Sequence, residues 1–289
     1  MVSVPPHATA AEIRQGDARY PALLLDLARP PQRIWARGDL SILDKPSVAI
    51  VGTRRATAYA ERVTRELAST LARAGACVIS GLARGVDACA HRGALEADGA
   101  TCAVLGTGLD VVYPKAHVAL QREIGERGLL LSELEPANAA HGGSFPQRNR
   151  IIAALASVTI VVEAGVTSGA LITARHAQDL NRTVAVVPGP IDVPQAQGSN
   201  EWMRDGAQVI ASMADALMLM GLTAAIRLAD IPAGSCERRI WDFLGHGSTD
   251  LDTLCTMSGL PAQECMAAVT ALELRGLIEC CLSGEIRRN

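Results

Sequence analysis

Six short runs rich in valine, isoleucine and leucine, each separated from the next by a longer amphipathic or glycine-led stretch, constrain this chain more than any other feature. They fall at 48–51, 77–80, 101–105, 129–132, 158–162 and 183–187. Each is apolar at consecutive positions and so lacks a water-facing side, as parallel strands do when helices cover both faces of their sheet. The stretches 59–73, 86–97, 116–127, 148–155 and 170–179 have helical character. In the first of them Val63, Leu67 and Leu71 recur every four residues and make one buried stripe. Gly75 and Gly99 fall where helix C-caps belong. Repeated strand–helix units of this kind specify a doubly wound, mainly parallel α/β sheet with right-handed crossovers over residues 47–221, behind a lead-in at 1–46.

A linker is expected at 222–235, where Pro232 and Gly234 interrupt any helix. Beyond it, helical stretches at 238–244, 250–258 and 261–275 precede two short strands at 277–282 and 285–288 around Ser283-Gly284, a hairpin signal. Three helices and a hairpin predict a small winged-helix domain over 236–289. At 289 residues the chain has room for one large core and this small one.

Composition narrows the function. Hydrophobic residues make up 49% and charged residues 20%, which is globular, but aromatic residues are only 3%. Any base-stacking site must draw on Phe145, Phe243, Trp35, Trp202, Trp241, Tyr20, Tyr59 or Tyr113. The net charge of −3 offers no bulk attraction to nucleic acid, so such binding must rest on local charge. The eight cysteines form no C-x-x-C pair, and the expectation is free thiols in a reducing compartment and no metal. The opening MVSVPPHATA does not have the pattern of a signal peptide, and no apolar stretch is long enough to span a bilayer. A cytoplasmic protein without membrane contact is expected.

In a doubly wound sheet, ligands bind beyond the carboxyl ends of the strands. Here those ends lead into Gly52-Thr53-Arg54-Arg55, then Gly81-Leu82-Ala83-Arg84-Gly85, Gly106-Thr107-Gly108, Gly165-Val166-Thr167-Ser168-Gly169 and Pro188-Gly189-Pro190. Glycine lets backbone N–H groups approach an anion, and a following helix N-terminus adds its positive dipole end. Hydroxyls at Thr53, Ser80 and Ser168 supply further donors. Five such loops at one sheet edge, two of them carrying arginine, point to a phosphate-bearing ligand. A dinucleotide cofactor is excluded: G-x-G-x-x-G is missing after the first strand, and Ser80-Gly81 stands where a ribose-binding acid belongs. No cofactor is expected. Phe145-Pro146-Gln147-Arg148-Asn149-Arg150 puts a ring beside two guanidiniums, the combination by which single-strand binders hold base and backbone together.

The runs V-G-T-R-R, S-G-L-A-R-G-V-D-A-C-A-H, Leu105-Gly106-Thr107-Gly108 with Tyr113-Pro114, F-P-Q-R-N-R-I-I and E-A-G-V-T-S-G-A-L-I-T-A together resemble the DNA-processing DprA/Smf family. The likeness holds in register over about residues 20–210, from Tyr20-Pro21 and Arg37-Gly38-Asp39-Leu40 onward. It implies an extended Rossmann-type fold that binds single-stranded DNA, forms a homodimer and loads the RecA recombinase during natural transformation. By position, it implies phosphate contacts from Arg54, Arg55, Arg84 and the Ser168-Gly169 loop, with Phe145, Arg148, Asn149 and Arg150 along the strand's path. Many relatives carry an N-terminal helical domain that has no counterpart here, and the winged-helix module varies among them.

Three acid–base groups are left without a role. Asp87 and His91 stand four apart on one helix face and can touch, but no nucleophile is tied to them, and no catalytic residue is expected. Glu163 ends the fifth strand at the glycine edge, where a nucleotide-phosphate hydrolase of the LOG (phosphoribohydrolase) type would use such a residue with an arginine. The P-G-G-x-G-T loop of those enzymes is absent. In the tail, Arg238, Arg239, Arg275, Arg287 and Arg288 face eight carboxylates, a net of −3. Its candidate DNA-reading helix, 261–275, carries Glu264 and Glu273 and a single arginine at its end, which argues for a protein contact and not duplex DNA.

Overall fold

The computed structural model describes residues 10–222, 231–232, 234–245, 249–274, 277–281 and 284–288. The chain divides into two compact units, 1–223 and 224–289. In chain order the first holds β1 (Ala11–Arg14), β2 (Arg33–Gly38), β3 (Ser47–Val51), α1 (Ala58–Arg73), β4 (Cys77–Ser80), α2 (Val86–Glu96), β5 (Thr101–Leu105), α3 (Val118–Arg127) and β6 (Leu129–Ser132). Next come α4 (Ser144–Leu155), β7 (Val158–Val161), α5 (Gly169–Asp179), β8 (Thr183–Val186), α6 (Gln197–Arg204), β9 (Gln208–Val209) and α7 (Met213–Leu219).

One sheet joins all nine strands in the order β1-β2-β6-β5-β4-β3-β7-β8-β9. Pairing is parallel from β6 to β9 and antiparallel at β1–β2 and β2–β6. Winding runs outward in one direction from β3 and in the other from β7, so the direction reverses between these two neighbours. The six apolar runs are the parallel strands β3 to β8. Along β3, Val48 and Ile50 point into one buried cluster with Leu67, Leu71 and Ala94, while Ala49 and Val51 point into the other with Ile151, Ile152 and Leu171. Water is excluded from both faces, as consecutive apolar residues require. Leu67 and Leu71 are fully buried, each side chain contributing about 2 kcal/mol by leaving water. Sequence periodicity did not disclose β1, β2 and β9, which are short or partly exposed.

Two local differences bear on the carboxyl edge of the sheet and on the turns behind it. The helix expected from 148 begins at Ser144, so Phe145 lies in its first turn. Gly75 takes the left-handed conformation after α1, but after α2 it is Asp98 that turns left-handed, and Gly99 serves to let the chain pass Ala72.

The second unit consists of α8 (Cys236–Leu244), β10 (Thr249–Asp250), α9 (Leu251–Ser258), α10 (Ala262–Leu274), β11 (Ile278–Cys280) and β12 (Glu285–Arg288), with sheet order β10-β12-β11. This is a winged helix with its own core of Ile240, Leu254, Leu272, Ile278 and Ile286. Arg287 pairs with Glu279 at 2.6 Å, and Arg288 lies 4.1 Å from the Trp241 ring centroid. Most of the expected linker, the hairpin residue Ser283 and Arg275 lie outside the described residues. No described helix is long and apolar enough to cross a membrane.

Candidate nucleic-acid interface

Where the winding reverses, the loops after β3 and β7 diverge and open a cleft of about 580 Å³, lined by Gly52 to Arg55, Phe145, Arg148, Asn149, Ser168 and Gly169 among others. Beyond the ends of β4 and β5 lies a second cleft of about 720 Å³ that takes in Gly81, Arg84, Gly106, Tyr113 and Lys115. Arg54, Arg55, Phe145 and Arg148 line both, so the two are halves of one groove along the carboxyl edge of the sheet.

The groove's rim is cationic. Arg54, Arg55, Arg84 and Lys115 are exposed, and among the described residues none of them pairs with a carboxylate. Elsewhere arginines are matched: Arg33 with Glu135, Arg65 with Glu96, Arg122 with Glu126, Arg127 with Asp98 and Glu123, Arg182 with Asp26. A chain of net charge −3 thus presents concentrated, uncompensated positive charge at one edge. Between these cations stand two rings. Tyr113 and Phe145 meet at 5.0 Å between centroids with a 40° tilt, and the Arg54 guanidinium lies 5.5 Å from the Phe145 centroid. Gly106 makes room for this, since a Cβ there would come within 2.6 Å of the Phe145 ring.

Several expected donors have other work. Ser80 is fully buried and its hydroxyl donates to the Ile50 carbonyl at 2.7 Å, bridging β4 and β3, so it cannot reach a ligand. Arg148 is buried rather than laid along the groove surface. It donates to the carbonyls of Gly81, at 2.6 Å, and Val104, and the place of a Gly81 Cβ is filled by its guanidinium. Arg150 points away from the groove, forking onto Glu133 at 2.6 and 2.7 Å and donating to the Arg29 carbonyl. Two residues apart on a helix lie on different faces, which is why Arg148 and Arg150 part company.

The helix N-termini are not all open either. The Glu163 carboxylate, buried behind α1, accepts from the Thr57 N–H at 3.0 Å and its hydroxyl at 2.8 Å, and the Thr53 N–H goes to the Glu163 carbonyl. Asp87, in the first turn of α2, accepts from the N–H groups of Gly81 and Ala83. The protein's own carboxylates therefore occupy the anion positions at the N-terminus of α1 and in the loop before α2. At α5 the end is open. Ser168 is the N-cap, the Asn149 side chain braces the Gly169 carbonyl at 3.1 Å, and nothing stands where a Gly169 side chain would be. Gly85, at φ +72°, holds a conformation reserved for glycine where its backbone crosses the Thr53 carbonyl.

Asp87 and His91 do not meet. His91 is fully buried and its Nδ1 lies 2.8 Å from the Thr101 hydroxyl, which donates onward to the Val78 carbonyl. The ring is therefore neutral with its proton on Nδ1, and burial, with Arg148 and His117 nearby, pushes its pKa down to about 3. Burial raises the Asp87 carboxyl, opposed by the Arg148 charge facing it. These groups form a packed support beneath the groove.

The parallel α/β sheet and the separate winged helix are the fold that the resemblance implied. Family comparison agrees over nearly the whole length: residues 12–221 match the family described as DNA recombination-mediator protein A, and 227–282 match the DprA winged helix domain. The chain belongs to the DNA recombination-mediator protein A family. It is 40% identical over 205 residues to the DNA processing protein DprA of Streptococcus pneumoniae, covering 70% of this chain and 71% of that one. To Protein Smf of Escherichia coli K12 it is 34% identical over 281 residues, 93% and 75% of the two chains. The solved structure of the pneumococcal protein superposes with a TM-score of 0.70 at 37% identity, over 72% of this chain and 74% of that one. That of DNA processing protein A from Helicobacter pylori, solved for its single-stranded DNA binding mode, gives 0.68 at 35% over 74% and 97%.

Lys115 is not among the contacts expected from the sequence, and for stacking Tyr113 is named there only as one of eight available rings. Lys115 is a single lysine two positions past Tyr113 and announces nothing by spacing. Tyr113 stood in a motif, but its partner Phe145 is 32 residues away, and only the packing of α4 across the end of β5 reveals the pair.

Proposed function

We propose that this chain binds single-stranded DNA along the groove at the carboxyl edge of its sheet and acts as a recombination mediator without catalysing a reaction. The observation that carries this reading is the set of exposed cations without carboxylate partners among the described residues, Arg54, Arg55, Arg84 and Lys115, around the Tyr113–Phe145 ring pair. Cations take the phosphates and rings take unpaired bases, and neither depends on base identity. The open N-terminus of α5 adds a phosphate position at Ser168-Gly169. The relative from Helicobacter pylori, studied for its single-stranded DNA binding mode, supports single-stranded DNA as the ligand.

A nucleotide-phosphate hydrolase is the poorer reading, because Glu163, the carboxylate such chemistry would need, spends both oxygens on Thr57. Family membership extends the proposal to loading of the RecA recombinase during DNA uptake, to a homodimer and to a cytoplasmic location. The test is a titration of single-stranded and duplex DNA of equal length at several salt concentrations. Single strands are expected to bind more tightly, and the Arg54→Ala/Arg55→Ala variant to lose about 0.7 from the salt slope for each phosphate contact removed. Equal or tighter duplex binding would overturn the proposal. Assembly of RecA on single-stranded DNA, with and without this protein, tests the mediator role.

A further inference from the structure

His117 ties together two loops that each bring a cation to the rim of the groove. It closes the short turn Lys115–His117 just before α3, and its ring is buried. Its Nδ1 lies 3.0 Å from the Leu82 carbonyl, which belongs to the loop after β4. A carbonyl oxygen only accepts, so Nδ1 carries the proton and donates. Lys115 stands in the same turn as His117, and Arg84 stands two residues past Leu82.

Leu82 is where the backbone would not rest unaided. At φ +57° it takes the left-handed conformation, which leucine avoids, while its side chain is fully buried with Leu105, Leu109 and Leu130. The peptide that follows is held at both ends. His117 donates to its carbonyl, and Asp87 accepts from its N–H, that of Ala83, at 3.3 Å. Arg148 and Asp87 fix Gly81 before it, but that leaves the Leu82 carbonyl to be satisfied from the other loop. A buried carbonyl without a donor is costly, so loss of the His117 N–H favours rotation of this peptide, and Arg84 shifts with it.

Resting on the single-stranded DNA reading, the geometry points to His117 as a positioning residue that holds Arg84 and Lys115 at one fixed spacing. It touches no ligand itself. Two exposed side chains on separately mobile loops would have to be ordered each time a strand binds, whereas loops already joined through a buried hydrogen bond avoid that cost.

Fluorescence anisotropy on the full chain, with a thymidine oligonucleotide over a range of salt, tests this. H117F keeps a buried ring but has no donor. It is expected to weaken binding about fivefold and to lower the salt slope by about 0.7 for each phosphate contact given up. H117N restores a donor and is expected to recover binding to within about twofold of wild type. In an R84A/K115A chain H117F is expected to cause no further loss, which a general loss of structure would not produce. H117F with wild-type affinity and slope, while R54A/R55A binds poorly, would overturn the positioning role and leave the DNA-binding reading standing. The same loss from H117F in the R84A/K115A chain would overturn it as well. Should H117F not fold, H117Q, whose donor sits one methylene further out, decides by the same comparison: a loss confined to chains that keep Arg84 and Lys115 supports the role, and any other result overturns it. A wild-type protein that binds no single strand would remove the DNA-binding reading and this inference with it.

Discussion

The guanidinium of Arg148 donates to the carbonyl of Gly81 at 2.6 Å and occupies the place where a side chain on Gly81 would begin. Asp87 accepts from the Gly81 N–H at 3.1 Å on the other side of the same peptide segment. The loop carrying Arg84 is thereby clamped between a buried cation on α4 and a buried carboxylate on α2.

Removing the cation alone should be costly. Arg148→Met leaves Asp87 buried without its counter-charge and two carbonyls without a donor, and a loss of about 3–5 kcal/mol is expected. Chemical denaturation reads it. Asp87→Asn combined with Arg148→Met is expected to recover part of the loss, because the stranded charge has gone. A single variant as stable as wild type would show that the clamp carries no weight.

Gly106→Ala should act on binding through Phe145 without deleting any ring. The new methyl would stand 2.6 Å from the Phe145 Cδ1 atom, so the ring must move and Tyr113 loses its backing. Single-stranded DNA affinity is expected to fall by a sizeable part of the ~1–3 kcal/mol that Phe145→Ala costs. Phe145 is only half-buried, so Phe145→Ala should change the melting temperature less than truncating a core phenylalanine would. Unchanged affinity in both variants would dissociate the ring pair from binding.

His91 gives stability a pH dependence of known sign. An unfolded imidazole titrates near ~6.5, whereas in the fold burial holds His91 neutral down to about 3. Between those values the unfolded chain binds the additional proton. This contribution is therefore complete above about pH 6.5 and is lost on acidification, by up to about 1.4 kcal/mol per pH unit. His91→Asn keeps a donor toward Thr101 but cannot titrate, so its melting temperature should fall less steeply with pH than that of wild type. Asp87, whose raised pKa works in the opposite direction, is common to both chains and does not enter the comparison. Parallel profiles would contradict the assignment.

The winged helix should contribute little to single-strand affinity. Its Arg287 is paired with Glu279, its Arg288 is stacked on Trp241, and the exposed face of α10 presents Glu264, Met266, Ala267, Thr270 and Glu273. A chain ending at Thr223 keeps the whole sheet and the clusters on both its faces. Its affinity is expected within about threefold of the full chain, under ~0.7 kcal/mol. A tenfold loss in a folded truncation would place the wing on DNA.

Local pattern was enough for the parallel sheet, because strands buried on both faces must be largely apolar along their length, and the runs from Val48 to Val186 are, each after the first carrying a single Ser or Thr. It also brought the loops holding Arg54, Arg84, Gly106 and Ser168 to one edge, since every strand in a parallel sheet ends on the same side. What local pattern could not supply was the partner each polar group would choose. Arg150 is neutralised by Glu133, Ser80 is tied to Ile50 across a strand pair, and Glu163 fills the N-terminus of α1 that looked open to a phosphate. Periodicity reports only how a residue faces its own element. Which charge remains free for a ligand, and that Tyr113 rests on Phe145, depend on contacts between segments distant in the chain, and these exist only once the helices have packed across the sheet.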